Sequence, residues 1–180
     1  MGFLLLSGAA AAFPALAAAP AVPAATYTVA MTGYNAVPAQ TDDTPFETAS
    51  GAYANAETVA ARSQDLGDIL PFGTIILVEG PSDKQENCGY NVVSKRIGYR
   101  IIEDTMNARY TNRIDVLFGT EDNFVSGDSI ENAASLLGNC KGVTVRVVGH
   151  LDPVHTDLLP KTQAALAAIV ESRSPRASAN

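Results

Sequence analysis

A chain of 180 residues has room for one compact domain with extensions, and a domain of that size buries enough apolar surface to stand without staples. Its 19 acidic against 12 basic side chains, a net charge of −7 with no run of Lys or Arg, repel a phosphate backbone and argue against a nucleic-acid partner. No Trp is present, and six Tyr and six Phe are the rings available for stacking on sugars or bases.

Residues 1–25, MGFLLLSGAAAAFPALAAAPAVPAA, carry no charge, and the first charged residue of the chain is Asp42. The apolar stretch followed by small-residue sites such as Ala15-Leu16-Ala17 reads as a secretory signal without its usual basic start. Pro14, Pro20 and Pro23 interrupt the stretch, and Ala contributes little transfer energy, so no stable membrane span is expected in the mature chain. The expectation is an exported protein of the periplasm or cell envelope, with a folded domain over 26–150 and a C-terminal extension over 151–180.

In "TYTVAMTGY", residues 26–34, Tyr27, Val29 and Met31 fall on one face of a first strand. "YNAVPAQTDDTPFETASG", residues 34–51, has no periodicity and reads as a long loop. Its Thr41, Asp42, Asp43, Thr44, Thr48 and Ser50 can hydrogen-bond glycan hydroxyls, or equally satisfy their own turns. "FGTIILVEG", residues 72–80, suits a strand buried on both faces. "GYNVVSKRIGYRIIED" predicts two more strands, broken near Lys95 to Gly98, and residues 112–119 and 142–149 complete a set of about six. That spacing predicts a small barrel or sandwich. Asp128 and Glu131 are spaced as a capping box for a helix through Ile130, Ala133, Ala134 and Leu137, stopped by Gly138. A second helix is expected from about Thr162 to Glu171, followed by a disordered tail.

Cys88 and Cys140 stand before apolar runs. In an oxidising compartment they can pair, contributing about 3 to 5 kcal/mol; the alternative is two free thiols. His150 and His155 flank Pro153, which breaks the helix that a shared metal site would need, so a surface loop is expected there. No Gly-x-Ser-x-Gly elbow accompanies them.

Two isolated carboxylates attract most interest. Alternation places Asp104 on the face of Ile102 and Arg100 at a strand end, and places Asp115 beside Arg113 opposite Ile114. A carboxyl among apolar neighbours is raised in pKa and can act as a general acid, while one near an Arg stays ionised. Unlike carboxyls are what glycosidic cleavage requires, although two salt-bridged turn aspartates would have the same spacing.

Taken in order, "YNAVPAQTDDTPFETASG", "LPFGTIILV", "EDTMNARYTNRIDV" and "AASLLGNCKGVTVRVV" resemble the three-aspartate (3D) domain. That domain occurs in membrane-bound lytic transglycosylase A and in resuscitation-promoting stationary-phase proteins, and is related to the barrel of rare lipoprotein A. The resemblance covers about Tyr34 to Val148. It implies a mostly β fold, a six-stranded double-psi β-barrel with one or two short peripheral helices. It further implies action on peptidoglycan glycan strands; a monomer without cofactor or metal is expected. The implied reaction is lytic-transglycosylase cleavage of the MurNAc-GlcNAc bond with an Asp as general acid and base; a non-catalytic glycan-binding module is the alternative. The family's Asp-Thr-Gly motif falls on Asp104 and Thr105, and its Arg-Ile-Asp motif on Arg113, Ile114 and Asp115. Its Thr-Ala-Ser-Gly turn falls on Thr48 to Gly51, and Tyr34 opens the groove. Substrate contacts are thus expected from Tyr34, Asp42, Thr48, Ser50, Gly51, Arg109 and Arg113. Met106 and Asn107 stand where the family's glycines follow Asp-Thr, with Arg109 in place of a Lys. The family's first aspartate has no direct counterpart, and Asp65, or Asp68, is the nearest carboxylate to that place.

Overall fold

The computed structural model describes residues 25–152, 156 and 158–173. The signal-like segment up to residue 24, His155 and the tail beyond Arg173 lie outside the described residues. Among the described residues, eight strands and three α-helices, with short 3-10 turns at Gln64–Leu66 and Ser94–Arg96, follow in the order β1 (Thr26–Asn35), β2 (Val59–Arg62), β3 (Thr74–Glu79), α1 (Tyr90–Val93), β4 (Tyr99–Thr105), β5 (Arg113–Phe118), β6 (Asn123–Ser126), β7 (Ser129–Asn132), α2 (Ala133–Leu137), β8 (Cys140–His150) and α3 (Gln163–Arg173).

Six strands close into a mixed barrel in the order β1-β5-β2-β4-β3-β8, and β6 and β7 form a separate hairpin. The β1/β5 and β2/β4 pairs are parallel, and the remaining neighbours antiparallel. Advancing each barrel strand three places along the chain turns the parallel β1/β5 pair into β4/β2 and the antiparallel β1/β8 pair into β4/β3. The two halves are therefore interlocked, each parallel pair needing a chain crossover, which is the pattern of a double-psi barrel. Closure leaves the barrel without open edges.

Alternation decides what fills it. Met31, Ala60, Ile76, Ile102, Ile114 and Val143 point inward, in one buried cluster with Val93 of α1, Ile97 beyond it, and Ala133 and Leu137 of α2. Outside the barrel, Leu166 and Val170 of α3 pack on Ile75 and Ile101, while Tyr34, Val59, Ala61, Met106 and Leu117 form a second cluster.

One guanidinium lies fully buried. Arg100 projects from β4 and donates to the carbonyls of Ile97 at 2.8 Å, Ala56 at 2.5 Å and Leu117 at 3.2 Å, and to that of Arg96, with its charge over the Phe118 ring. Desolvation lowers its pKa to about 9, so it remains charged at neutral pH and ties loop backbone to β4 and β5. Cys88 and Cys140 are disulfide-bonded with Cα atoms 4.7 Å apart, joining the segment before α1 to the start of β8.

Three elements differ from the sequence expectation. Residues 90–93 form a helix rather than a strand, because this apolar run lies at a barrel end where Val93 fills the core. The sixth barrel strand is instead β2, whose "VAAR" is too short and Ala-rich to show an alternating signature. The expected capping box is absent: Ser129 to Asn132 pair with β6, and α2 starts after Asn132, whose side chain accepts the Ala134 N–H at 3.0 Å. The C-terminal helix runs from Gln163, close to its expected start. No helix of the described residues is long and apolar enough to cross a membrane.

Candidate active site

A cleft of about 950 Å³ opens on one side of the barrel, between the loop after β1 and the segment joining β4 to β5. Its floor is a row of in-register residues. Thr32 pairs with Asp115, Asp115 with Ala61, and Ala61 with Asp104, across β1, β5, β2 and β4. Residues paired this way present side chains to the same face. At one strand spacing per step, the Cα atoms of the two aspartates lie ~10 Å apart, with only the methyl of Ala61 between them.

Simple alternation would have sent Asp104 into the barrel with Ile102 and Arg100. The β2/β4 register shifts between Ala60 and Ala61, whose partners are Ile102 and Asp104. Glu103 is thus the extra residue of a β-bulge, and a bulge re-aims the side chain that follows it. The sequence expectation for that face is therefore corrected: the bulge turns Asp104 out of the core and into the cleft.

The two carboxyls have unlike surroundings. Asp104 accepts three hydrogen bonds, from the Tyr34 hydroxyl at 2.8 Å, the Ala49 N–H at 3.0 Å and the Thr105 N–H at 2.8 Å. Asp115 has a buried Oδ1 with no hydrogen-bond partner. Burial raises its pKa from 3.8 to about 7, the Thr32 hydroxyl and the Arg113 charge pull it back, and Asp104 pushes it up. The sequence expectation made Asp115 the ionised partner held down by Arg113; its carboxyl is instead raised, since desolvation outweighs the neighbouring Arg. Tyr34 is itself largely buried, and burial together with Asp104 drives its phenol well above the ordinary value. It therefore stays a hydrogen-bond donor that holds Asp104 in place.

The turn at 48–52 hands the Ala49 N–H to Asp104. The Thr48 hydroxyl lies 3.1 Å from that of Ser50 and accepts the Ala52 N–H at 3.1 Å, the Ser50 N–H reaches the Glu103 carbonyl at 3.1 Å, and Gly51 supplies the left-handed residue at φ 83°. Thr48, Ser50 and Gly51 therefore build the turn, their hydroxyls engaged within it and the Ser50 N–H tying it to β4. Glu103 lies fully buried, and burial raises its carboxyl above the usual range.

Across the cleft, Arg109 and Arg113 both stand over the Tyr110 ring, at 4.8 and 5.4 Å from its centroid, and Arg109 donates to the Tyr110 hydroxyl at 2.9 Å. Both guanidinium groups line the cleft and provide it with positive charge opposite the acidic row. Asp42 lies on the exposed rim, where its carboxylate closes a turn with Thr44 N at 2.8 Å. Asp65 is not brought to the cleft: exposed beyond β2, it accepts the Asn112 N–H at 2.9 Å, and hydrogen bonds from Ser63 and Asn112 lower its pKa. The bond holds Asn112 at a positive φ of 47°. Asp68 also lies outside the cleft lining.

Thr32, Ala61 and Tyr110 were not singled out by sequence reasoning. Tyr110 had a visible signal, an aromatic flanked by Arg109 and Arg113, whereas Thr32 and Ala61 acquire meaning only from strand register. Among the described residues, no group of three or more His, Cys, Asp or Glu side chains is arranged to hold a metal ion. In comparisons with known proteins, no family model matches the chain and no curated protein matches it.

Proposed function

We propose that this barrel binds peptidoglycan glycan strands in the cleft and cleaves them in the manner of a lytic transglycosylase. Asp115, which burial keeps partly protonated near pH 7, donates its proton to the glycosidic oxygen as the bond from that oxygen to the anomeric carbon breaks. The resulting carboxylate takes the proton of the sugar's own primary hydroxyl as that oxygen closes on the anomeric carbon, so one residue serves as acid and then base and no water is consumed. Asp104, fixed by its three hydrogen bonds, supports the positive charge that develops on the sugar. Arg109 and Arg113 offer guanidinium donors to the oxygens of the lactyl substituent of muramic acid, an amide where a stem peptide is attached and a carboxylate where it is not. The observation that carries this reading is the row Asp115, Ala61, Asp104 on the cleft floor, with burial holding Asp115 at a pKa of about 7. The Cys88–Cys140 disulfide supports an exported protein in an oxidising compartment.

The test is incubation of the purified protein with sacculi, followed by chromatography and mass spectrometry of the soluble fragments. Anhydro-ended muropeptides are expected; their absence while the protein still cosediments with sacculi would leave a glycan-binding module. A specific observation favours that second reading: Asp104 already has three donors, and no third aspartate from the β2 region enters the cleft. In that case Asp104→Asn and Asp115→Asn would alter binding and stability alone.

A further inference from the structure

Beside the cleft stand two rings that the cleavage chemistry does not use. Phe46 and Tyr53 are 59% and 69% exposed, and they stack with centroids 6.3 Å apart and planes within 10°. Every other exposed large apolar side chain among the described residues is aliphatic. A hairpin sets their position: Glu47 bridges to Tyr53, and Ala54 N–H donates to the Phe46 carbonyl at 3.0 Å. Backbone bonds and the Thr48 hydroxyl already close this hairpin, so the rings are held in water by a frame built from other groups.

The same hairpin forms part of the cleft wall through Pro45, Glu47, Thr48 and Ala49, and its tip gives the Ala49 N–H to Asp104. The rings therefore stand three to four residues from that contact, on the order of 10 to 13 Å along an extended arm. On its other side Tyr53 borders a smaller pocket of about 410 Å³ with Val59, Leu159 and Lys161. The rings thus belong to the hairpin that walls the cleft, and Tyr53 also borders this second pocket.

We propose that the Phe46–Tyr53 stack is a platform for pyranose rings, extending the cleft so that it grips a glycan strand over sugars outside the reacting pair. The proposal rests on the glycan reading of the cleft. The electron-rich face of an aromatic ring attracts the C–H-bearing face of a pyranose, here the uncharged N-acetylglucosamine rings that alternate along the strand. Glu47 alongside and the net charge of −7 disfavour a phosphate-linked chain of bases on the same rings.

The test measures binding by calorimetry to peptide-free glycan strands of several repeats and, separately, to the single disaccharide repeat. The wild type is expected to bind the strand more tightly than the disaccharide. The Phe46→Ala/Tyr53→Ala variant is expected to lose about tenfold in strand affinity, and less than about twofold for the disaccharide. The ring-retaining variant Phe46→Tyr/Tyr53→Phe should keep wild-type strand affinity. In the wild type, Phe46 and Tyr53 ring resonances must shift on adding strands, a readout independent of how the variants fold. Unshifted resonances, equal strand affinities in wild type and Ala variant, or equal losses for both ligands would overturn the platform. So would self-association lost in the Ala variant, which would assign the rings to a second copy of the chain. Failure of the cleft reading looks different: the wild type then binds neither ligand and releases no fragments, and the platform falls with it.

Discussion

Replacing Asp115 by Asn should stabilise the protein at neutral pH while removing its activity. The folded structure holds this carboxyl at a pKa of about 7 against 3.8 in a free chain. A difference of ~3 pH units corresponds to at most ~4 kcal/mol. The sign follows from proton linkage: the folded state binds the proton more tightly, so between pH 4 and pH 7 (both approximate bounds) the unfolded state ionises first and stability falls. Below about pH 4 both states are protonated and the cost is absent; above about pH 7 both are ionised and the full cost persists. Asn has nearly the same shape and cannot ionise. Glu103, shifted in the same direction by burial, is present in both proteins and cancels in the comparison. Urea unfolding of wild type and Asp115→Asn, with the disulfide intact, should give similar stabilities near pH 4 and a variant more stable by up to ~4 kcal/mol near pH 8. Parallel stability curves across that range would refute a desolvated Asp115 and with it the assignment of the acid.

Ala61→Leu places a larger side chain between the two carboxylates; fragment release from sacculi should fall at least ~100-fold, with a stability loss of about 1 to 3 kcal/mol measured by urea unfolding. Tyr34→Phe removes the hydroxyl that holds Asp104. It should cost about 1.5 to 3 kcal/mol in thermal or urea unfolding and reduce the turnover rate with little change in strand affinity. Replacing Cys88 and Cys140 by Ser opens a loop spanning 52 residues, for which the chain-entropy model gives a loss of ~4 kcal/mol, readable as a lower urea midpoint.

Much of the barrel was visible as hydrophobic alternation. The runs of β1, β5 and β8 appear as strands because their inward and outward residues differ in polarity, and β3 appears as a short β-branched run buried on both faces. β2 left no such trace, since three of its four residues are buried or nearly so and two are Ala. The short helix at 90–93 was misread because an apolar run of that length suits either state, and only the barrel-end position of Val93 decides. Asp104 and Asp115 stood out as isolated carboxylates in strand-like sequence. Their facing was only half legible, because a bulge at Glu103 reverses the parity on which the expectation for Asp104 depended. The raised pKa of Asp115 was legible only with coordinates: the Arg113 charge can be read from the chain, whereas the burial that outweighs it cannot. The Thr48-Ala49-Ser50-Gly51 segment was recognisable as a turn, but the N–H it delivers to Asp104 was not.

The most direct test of the account is digestion of purified sacculi in isotopically labelled water by wild type and Asp115→Asn, with mass analysis of the released fragments. The account predicts anhydro-ended fragments carrying no label from the wild type, and none from the variant. Labelled reducing ends would show hydrolysis in place of internal closure, and equal release by the variant would show that Asp115 does not carry the proton.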